Sequence, residues 1–181
     1  AEIIKTSDKA SEEEKNSADL YIGKASLIKA DTTQAIKSFN SVVAKTKTLA
    51  AAEAKYNLAA IQYAKGDYKT SQKTCFDLIN NMPSYDYWVA KSFILLSDNY
   101  LALKDKLQAK STLLSIIDNY EGNDDILPTA KEKLAKIDGF KMNMTTNYNG
   151  MEIPVEVYNN KAGKMYVKIN FQAASVGERI L

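Results

Sequence analysis

The densest group of side chains able to do chemistry lies in "DNYEGNDD", where Asp118, Glu121, Asp124 and Asp125 fall within eight positions. Carboxylates this close could hold a hard cation such as calcium. A calcium-binding loop alternates its ligands and closes on a bidentate Glu, and that order is missing here. The same residues fit a helix end, a turn and the cap of the next helix. Cys75 is the single cysteine, so it forms no disulfide within the chain, and it reads as a small core residue. The chain has no His, which excludes Ser–His and Cys–His nucleophile pairs and the usual zinc sets. Neither a phosphate-cradling Gly loop nor a nucleophile elbow occurs. Asn143-Met144-Thr145 matches a glycosylation acceptor, which has meaning only in a secretory context. The chain therefore reads as no enzyme, with no catalytic residue, cofactor or metal.

Composition narrows the remaining classes. A length of 181 residues fits one domain, or one domain with an appendage, and 45% apolar residues suffice for a core. No apolar run approaches the roughly 18 residues of a membrane span. The opening "AEIIKTSDKASEEEK" lacks a basic start, an apolar core and a cleavage motif, so no signal peptide is visible. The absence of an initiator Met leaves a processed or truncated start open. Of 24 Lys/Arg and 22 Asp/Glu, residues 1–138 hold 19 of each, and residues 139–181 hold 5 and 3. Without a basic block, nothing points to nucleic acid or an anionic membrane.

The elements come from periodicity. "YAKGDYKTSQ", residues 63–72, interrupts two stretches with helical spacing of apolar residues, Ala54–Ala64 and Lys69–Asn80. Gly66 can take the left-handed conformation that closes one helix, and Asp67 can cap the next. This punctuation recurs. In 52–83, Leu58-Ala59, Gly66-Asp67-Tyr68, Ser71, Cys75 and Pro83 fall at the marked positions of the tetratricopeptide pattern, with Lys55 and Gln62 replacing its Trp and Tyr. In 16–47, Ile22-Gly23, Ala30-Asp31, Ala35 and Phe39 take the same places. In 90–121, Phe93, Leu96-Ser97, Tyr100, Ala109, Leu113 and Ile116 do so. The chain thus resembles a tetratricopeptide repeat protein. The resemblance implies a mainly α fold, an α-α solenoid of three helical hairpins. Small residues at Gly23, Ala35, Ala59, Ser71, Ser97 and Ala109 would let the helices approach, and stacking would bury a continuous core.

A capping helix is expected over 125–138, with Pro128 tolerated in its first turn. The segment "SDKASEEEKNS" reads as a frayed or capping start whose acidic run opens a helix. From residue 139 to 181 the period changes to 2. Met151, Ile153, Val155 and Val157 alternate with polar residues, as do Met165, Val167, Ile169 and Phe171. Asn149-Gly150 signals a tight hairpin and "NNKAG" at 159–163 a longer loop, while Pro154 either demotes the middle run as a strand or takes an edge-facing site. The expectation is a small antiparallel β-meander over 140–172, as an appendage or as part of a second domain. Its strands are faintly similar to those of outer-membrane lipoprotein carrier proteins. "AASVGERIL" shows neither grammar.

The function expected is a non-catalytic scaffold that binds a partner protein or peptide. In the family that the chain resembles, the first helices line a concave groove. By register this places Ser17, Leu20, Lys24 and Leu27, then Glu53, Tyr56, Ala60 and Tyr63, then Lys91, Ile94, Asp98 and Leu101 along it. Leu20, Lys24, Leu27, Tyr56, Tyr63, Lys91, Ile94 and Asp98 are the candidate partner-binding set. Tyr56 and Tyr63, seven apart, either anchor a partner or pack on neighbouring helices. The Lys and Asn set with which chaperone-binding members clamp a C-terminal carboxylate is not reproduced, since the ninth positions are Lys24, Ala60 and Asp98. Two alternatives stand beside this reading: a hydrophobic-ligand carrier using the β region, and a structural adaptor of a bacterial envelope complex. Nothing in the sequence fixes the compartment or the oligomeric state.

Overall fold

The computed structural model describes residues 1–138, 141–148, 151–159 and 165–169. Eight helices come first: α1 (Glu2–Lys5), α2 (Glu12–Ile28), α3 (Thr32–Lys45), α4 (Leu49–Ala64), α5 (Tyr68–Asn81), α6 (Asp86–Ala102), α7 (Lys106–Asn119) and α8 (Ile126–Asp138). Three strands follow, β1 (Lys141–Tyr148), β2 (Met151–Asn159) and β3 (Met165–Ile169). The chain divides into two compact units, Ala1–Ala130 and Lys131–Leu181, so the division falls inside α8.

In the first unit, consecutive helices pack in pairs: α2 with α3, α4 with α5, and α6 with α7. Each pair meets the next twice, α3 and α2 against α4, then α5 and α4 against α6. The result is a stack of helical hairpins. Local chemistry sets the ends of the helices. Ser11 caps α2 in a capping box: its hydroxyl accepts from the Glu14 N–H, while the Glu14 carboxylate accepts from the Ser11 N–H at 2.8 Å. The acidic run Glu12–Glu14 thus lies in the first turn, where a helix favours negative charge.

The turn inside every hairpin is the same device three times over. Ala30, Gly66 and Lys104 have φ of 59°, 80° and 66°, in the left-handed region. The next N–H reaches back to close the preceding helix: Asp31 to the Ser26 carbonyl, Asp67 to Gln62 and Asp105 to Tyr100. Those three Asp then cap the following helix, each side chain accepting from the N–H three residues on, in Gln34, Thr70 and Gln108. The left-handed conformation disfavours any residue with a Cβ, and only the middle hairpin has Gly there.

Close approach within each pair is set by small residues. Gly23, Ala35, Ala59, Ser71, Ser97 and Ala109 are all buried. At Gly23 the contact is tightest, because a Cβ there would lie 2.5 Å from the Phe39 ring. Phe39, Cys75 and Leu113 occupy equivalent places on the second helices and are fully buried. One core joins the first two hairpins through Leu20, Phe39, Val42, Leu58 and Ile61. A second gathers Ala59, Cys75, Leu95 and Leu96 between the second and third.

Two buried polar groups are built into these contacts. The Asn99 amide donates to the Ser71 hydroxyl at 2.9 Å and to the Leu95 carbonyl at 2.8 Å. Ser71 in turn donates to the Ala59 carbonyl at 2.9 Å, so α4, α5 and α6 are tied by one network. Asp19 on α2 is fully buried and faces Lys5 at 2.6 Å, Lys45 at 3.7 Å and the Ser41 hydroxyl at 2.8 Å. Burial pushes its pKa up. Hydrogen bonds from Lys5 and Ser41 and the charges of Lys5 and Lys45 outweigh that and hold it below the usual carboxyl range.

Ile126 and Ala130 of α8 are fully buried, while Lys131, Glu132 and Lys136 are exposed. Pro128 is the third residue of the helix, where no intrahelical N–H bond is lost. In the second unit the strands pair antiparallel in the order β1-β2-β3, with Tyr148 opposite Met151 and Val155 opposite Ile169. Ile153 and Val155 are buried on one face. Ile169 is 44% exposed, at the end of the outer strand. Pro154 lies in the central strand, opposite Thr145, and the described pairing with β3 begins one residue later, at Val155. The turn at Asn149-Gly150, most of the 159–163 loop, Phe171 and "AASVGERIL" lie outside the described residues.

Two outcomes are expected. Lys104→Gly should stabilise the protein, and Gly66→Ala destabilise it, each by about 1 kcal/mol, measured by urea unfolding. Equal midpoints for both variants would contradict the strain assigned to these turns. Asp19→Asn should cost about 2 kcal/mol at pH 7. Because folding lowers the Asp19 pKa, its contribution is complete above the unfolded value, near 4, and is lost as pH falls through the folded value. Thermal melts should therefore show the gap between Asp19→Asn and the parent closing below about pH 4; a gap independent of pH would refute the assignment.

Candidate interaction surface

The first helices of the hairpins, α2, α4 and α6, carry the candidate partner-binding residues. Leu20 and Ile94 are 5% and 9% exposed. Leu20 packs with Phe39 and Leu58, so both residues belong to the interior and leave nothing for a partner to touch. The periodic pattern places them on the first helices of their hairpins, but an aliphatic chain at those positions reaches the core. Leu27 is half-buried against the same core.

The polar and aromatic candidates stay accessible, yet they are engaged with one another across hairpins. Lys24 of α2 pairs with Glu53 of α4 at 2.5 Å. Tyr56 of α4 meets Trp88 of α6, ring centroids 5.4 Å apart. Lys91 is held by three rings, its Nζ lying 5.5 Å from the centroid of Tyr56, 5.2 Å from Tyr87 and 5.7 Å from Trp88. It also donates to the Tyr87 hydroxyl at 3.2 Å and lies 4.0 Å from Asp125. Burial alone would lower the Lys91 pKa, but the Tyr87 hydrogen bond and the neighbouring phenols and Asp125 raise it above the ordinary lysine value. Tyr63 of α4 leans on Tyr68 of α5, centroids 5.5 Å apart. Burial raises the pKa of Tyr56 and of Tyr63, and the Asp98 charge adds to both. Both neutral phenols are hydrogen-bonding groups set beside apolar rings, the composition of an interface anchor.

Trp88 and Tyr87 are the residues that the repeat frame missed. That frame starts at 90, whereas α6 starts at Asp86, so "SYDYWV" supplies the first helical turn. Three aromatics among four residues, Tyr85, Tyr87 and Trp88, were the available signal.

Other candidate groups are placed for structure. Cys75 is fully buried, and burial pushes its thiol up to about 12 against a weaker effect of its hydrogen bond with Ser71. In the acidic cluster, Asp124 accepts from the Tyr120 hydroxyl at 2.5 Å and from the Ile126 N–H at 3.0 Å, which caps α8. Among the described residues, no group of three or more His, Cys, Asp or Glu is placed to hold a metal ion. Nor is any helix among them long and apolar enough to cross a membrane. No protein-family model matches the chain, and no curated protein matches it in sequence.

If the three rings hold Lys91, then Lys91→Met should lower stability by about 1 kcal/mol, while Lys91→Arg, which keeps the cation, should lose less. A Lys91→Met protein as stable as the parent in chemical denaturation would show the cluster to be incidental.

Proposed function

We propose that the chain is a tetratricopeptide-type scaffold that binds a partner protein or peptide along the shared face of α2, α4 and α6. The observation that carries this reading is the stacking of first helix on first helix, α2 on α4 and α4 on α6, which forms one continuous surface from three hairpins. Recurrence of the same turn at Ala30, Gly66 and Lys104 supports the repeat character. Binding would use Tyr56, Tyr63 and Trp88 as aromatic anchors, with Lys24, Lys91 and Asp98 setting charge. The contacts of Lys24 with Glu53, of Tyr56 with Trp88 and of Tyr63 with Tyr68 fix these side chains beforehand, so a partner would order few rotamers on binding. Shape and aromatic contact would then contribute more than net charge, because Lys24 is already neutralised by Glu53.

Photo-crosslinking tests this. A benzophenone amino acid placed at Tyr63 or Lys24 should capture a partner from a lysate of the source organism, and the same group at Leu107 of α7, which is 74% exposed, should not. Capture from position 107 in equal or higher yield would move the function away from this face.

A further inference from the structure

We propose that a pocket at the end of the third hairpin recognises an arginine side chain that a partner peptide carries next to an apolar residue. The pocket adjoins the shared face of the first helices described above, with Tyr87, which also holds Lys91, in its lining. It lies between the start of α6, the end of α7 and the segment that follows, with a volume of about 740 Å³. That size is within the roughly 300–1,000 Å³ of ligand pockets and exceeds what one guanidinium group would fill.

Its lining divides by chemistry. Phe93 and Ile116 supply apolar surface, Tyr87 and Tyr120 supply phenol rings, and Asp86 and Glu121 supply exposed carboxylates. No lining residue is basic. Asp86 and Glu121 are thus the charged groups of the lining, and Lys91, which lies beside Tyr87, is already engaged by the Tyr87 hydroxyl and Asp125. The field is visible on Tyr120, whose phenol is pushed up to about 12 by burial, by its hydrogen bond to Asp124 and by the charges of Asp124 and Asp86.

The segment that forms one side of the pocket is fixed in advance. The Tyr120 hydroxyl donates to Asp124 at 2.5 Å, and a Cβ on Gly122 would lie 2.3 Å from that hydroxyl oxygen, so the ring folds back closely over Gly122. Arginine is favoured over lysine by this composition. Its planar cation stacks on aromatic rings and donates in a fork to carboxylates, whereas ammonium is a more strongly hydrated point charge. The apolar lining beyond the carboxylates calls for a neighbouring apolar side chain.

Three acetylated and amidated heptapeptides test the site by calorimetric or NMR titration of the full chain. One has Arg-Leu at its centre, one Glu-Leu and one Arg-Ser. The Arg-Leu peptide should bind at least tenfold tighter than Glu-Leu and several-fold tighter than Arg-Ser. The variant Asp86→Asn/Glu121→Gln, altered only at exposed side chains, should weaken Arg-Leu binding at least tenfold with an unchanged circular dichroism spectrum. Tyr63→Ala should leave it unchanged. Lack of Arg-Leu binding at millimolar concentration, equal binding of the Glu-Leu or Arg-Ser peptide, or indifference to the double variant would overturn the proposal. The crosslinking at Tyr63 and Lys24 addresses the shared face of the first helices separately.

Discussion

Close crossing of paired helices is the constraint on which the helical part depends. Two helices separated by large side chains would share little core, and each would leave an apolar stripe in water. Where Gly23 meets the Phe39 ring, absence of a Cβ lets a whole aromatic side chain sit against backbone. Where Ser71 meets Ala59, a hydroxyl does what a methyl could not, because it bonds the carbonyl of the opposite helix and also receives Asn99 from the next hairpin. Small residues at the crossings therefore set both the spacing inside a hairpin and the seating of its neighbour. The accessible side chains on α2, α4 and α6 come into line because of this seating.

The polar contacts across hairpins follow a gradient of burial. Lys24 and Glu53 join the first two near the surface, where water weakens an ion pair. Asn99 and Ser71 join the second and third inside the core, where an unmade hydrogen bond would be expensive. Asp19 belongs to neither interface. It ties α1 and α3 to α2 through two lysines and a hydroxyl.

Much of the helical arrangement was legible in the sequence, for physical reasons that differ by residue. Asp67 reads as a cap and Asp31 follows a turn position of the same pattern; Asp105 caps α7 in the same way but carries no such mark, because Lys104 before it is no turn residue. Left-handed backbone at Ala30 and Lys104 leaves no mark in residue type, since the hydrogen bonds of the turn impose it against the residue's preference. The acidic run Glu12–Glu14 reads as a helix start and lies in the first turn of α2, while the repeat frame begins at residue 16. The candidate surface was half legible. Register put Lys24, Tyr56, Tyr63 and Lys91 on the first helices of the hairpins, but it could not tell that Leu20 and Ile94 point inward, because depth depends on the neighbouring hairpin. The pocket near Tyr120 was invisible, since "DNYEGNDD" becomes one side of a cavity only when Asp86 and Phe93 of α6 are brought beside it.

The burial of Cys75 has a practical side. A thiolate is the reacting form, and a thiol that ionises near 12 inside a closed core supplies almost none at the pH of ordinary labelling chemistry. The native chain is thus silent towards maleimides while folded, and one new cysteine on any exposed helix would be its only reactive handle. Dyes, spin labels or surface tethers can be attached site by site without first removing a residue from the core.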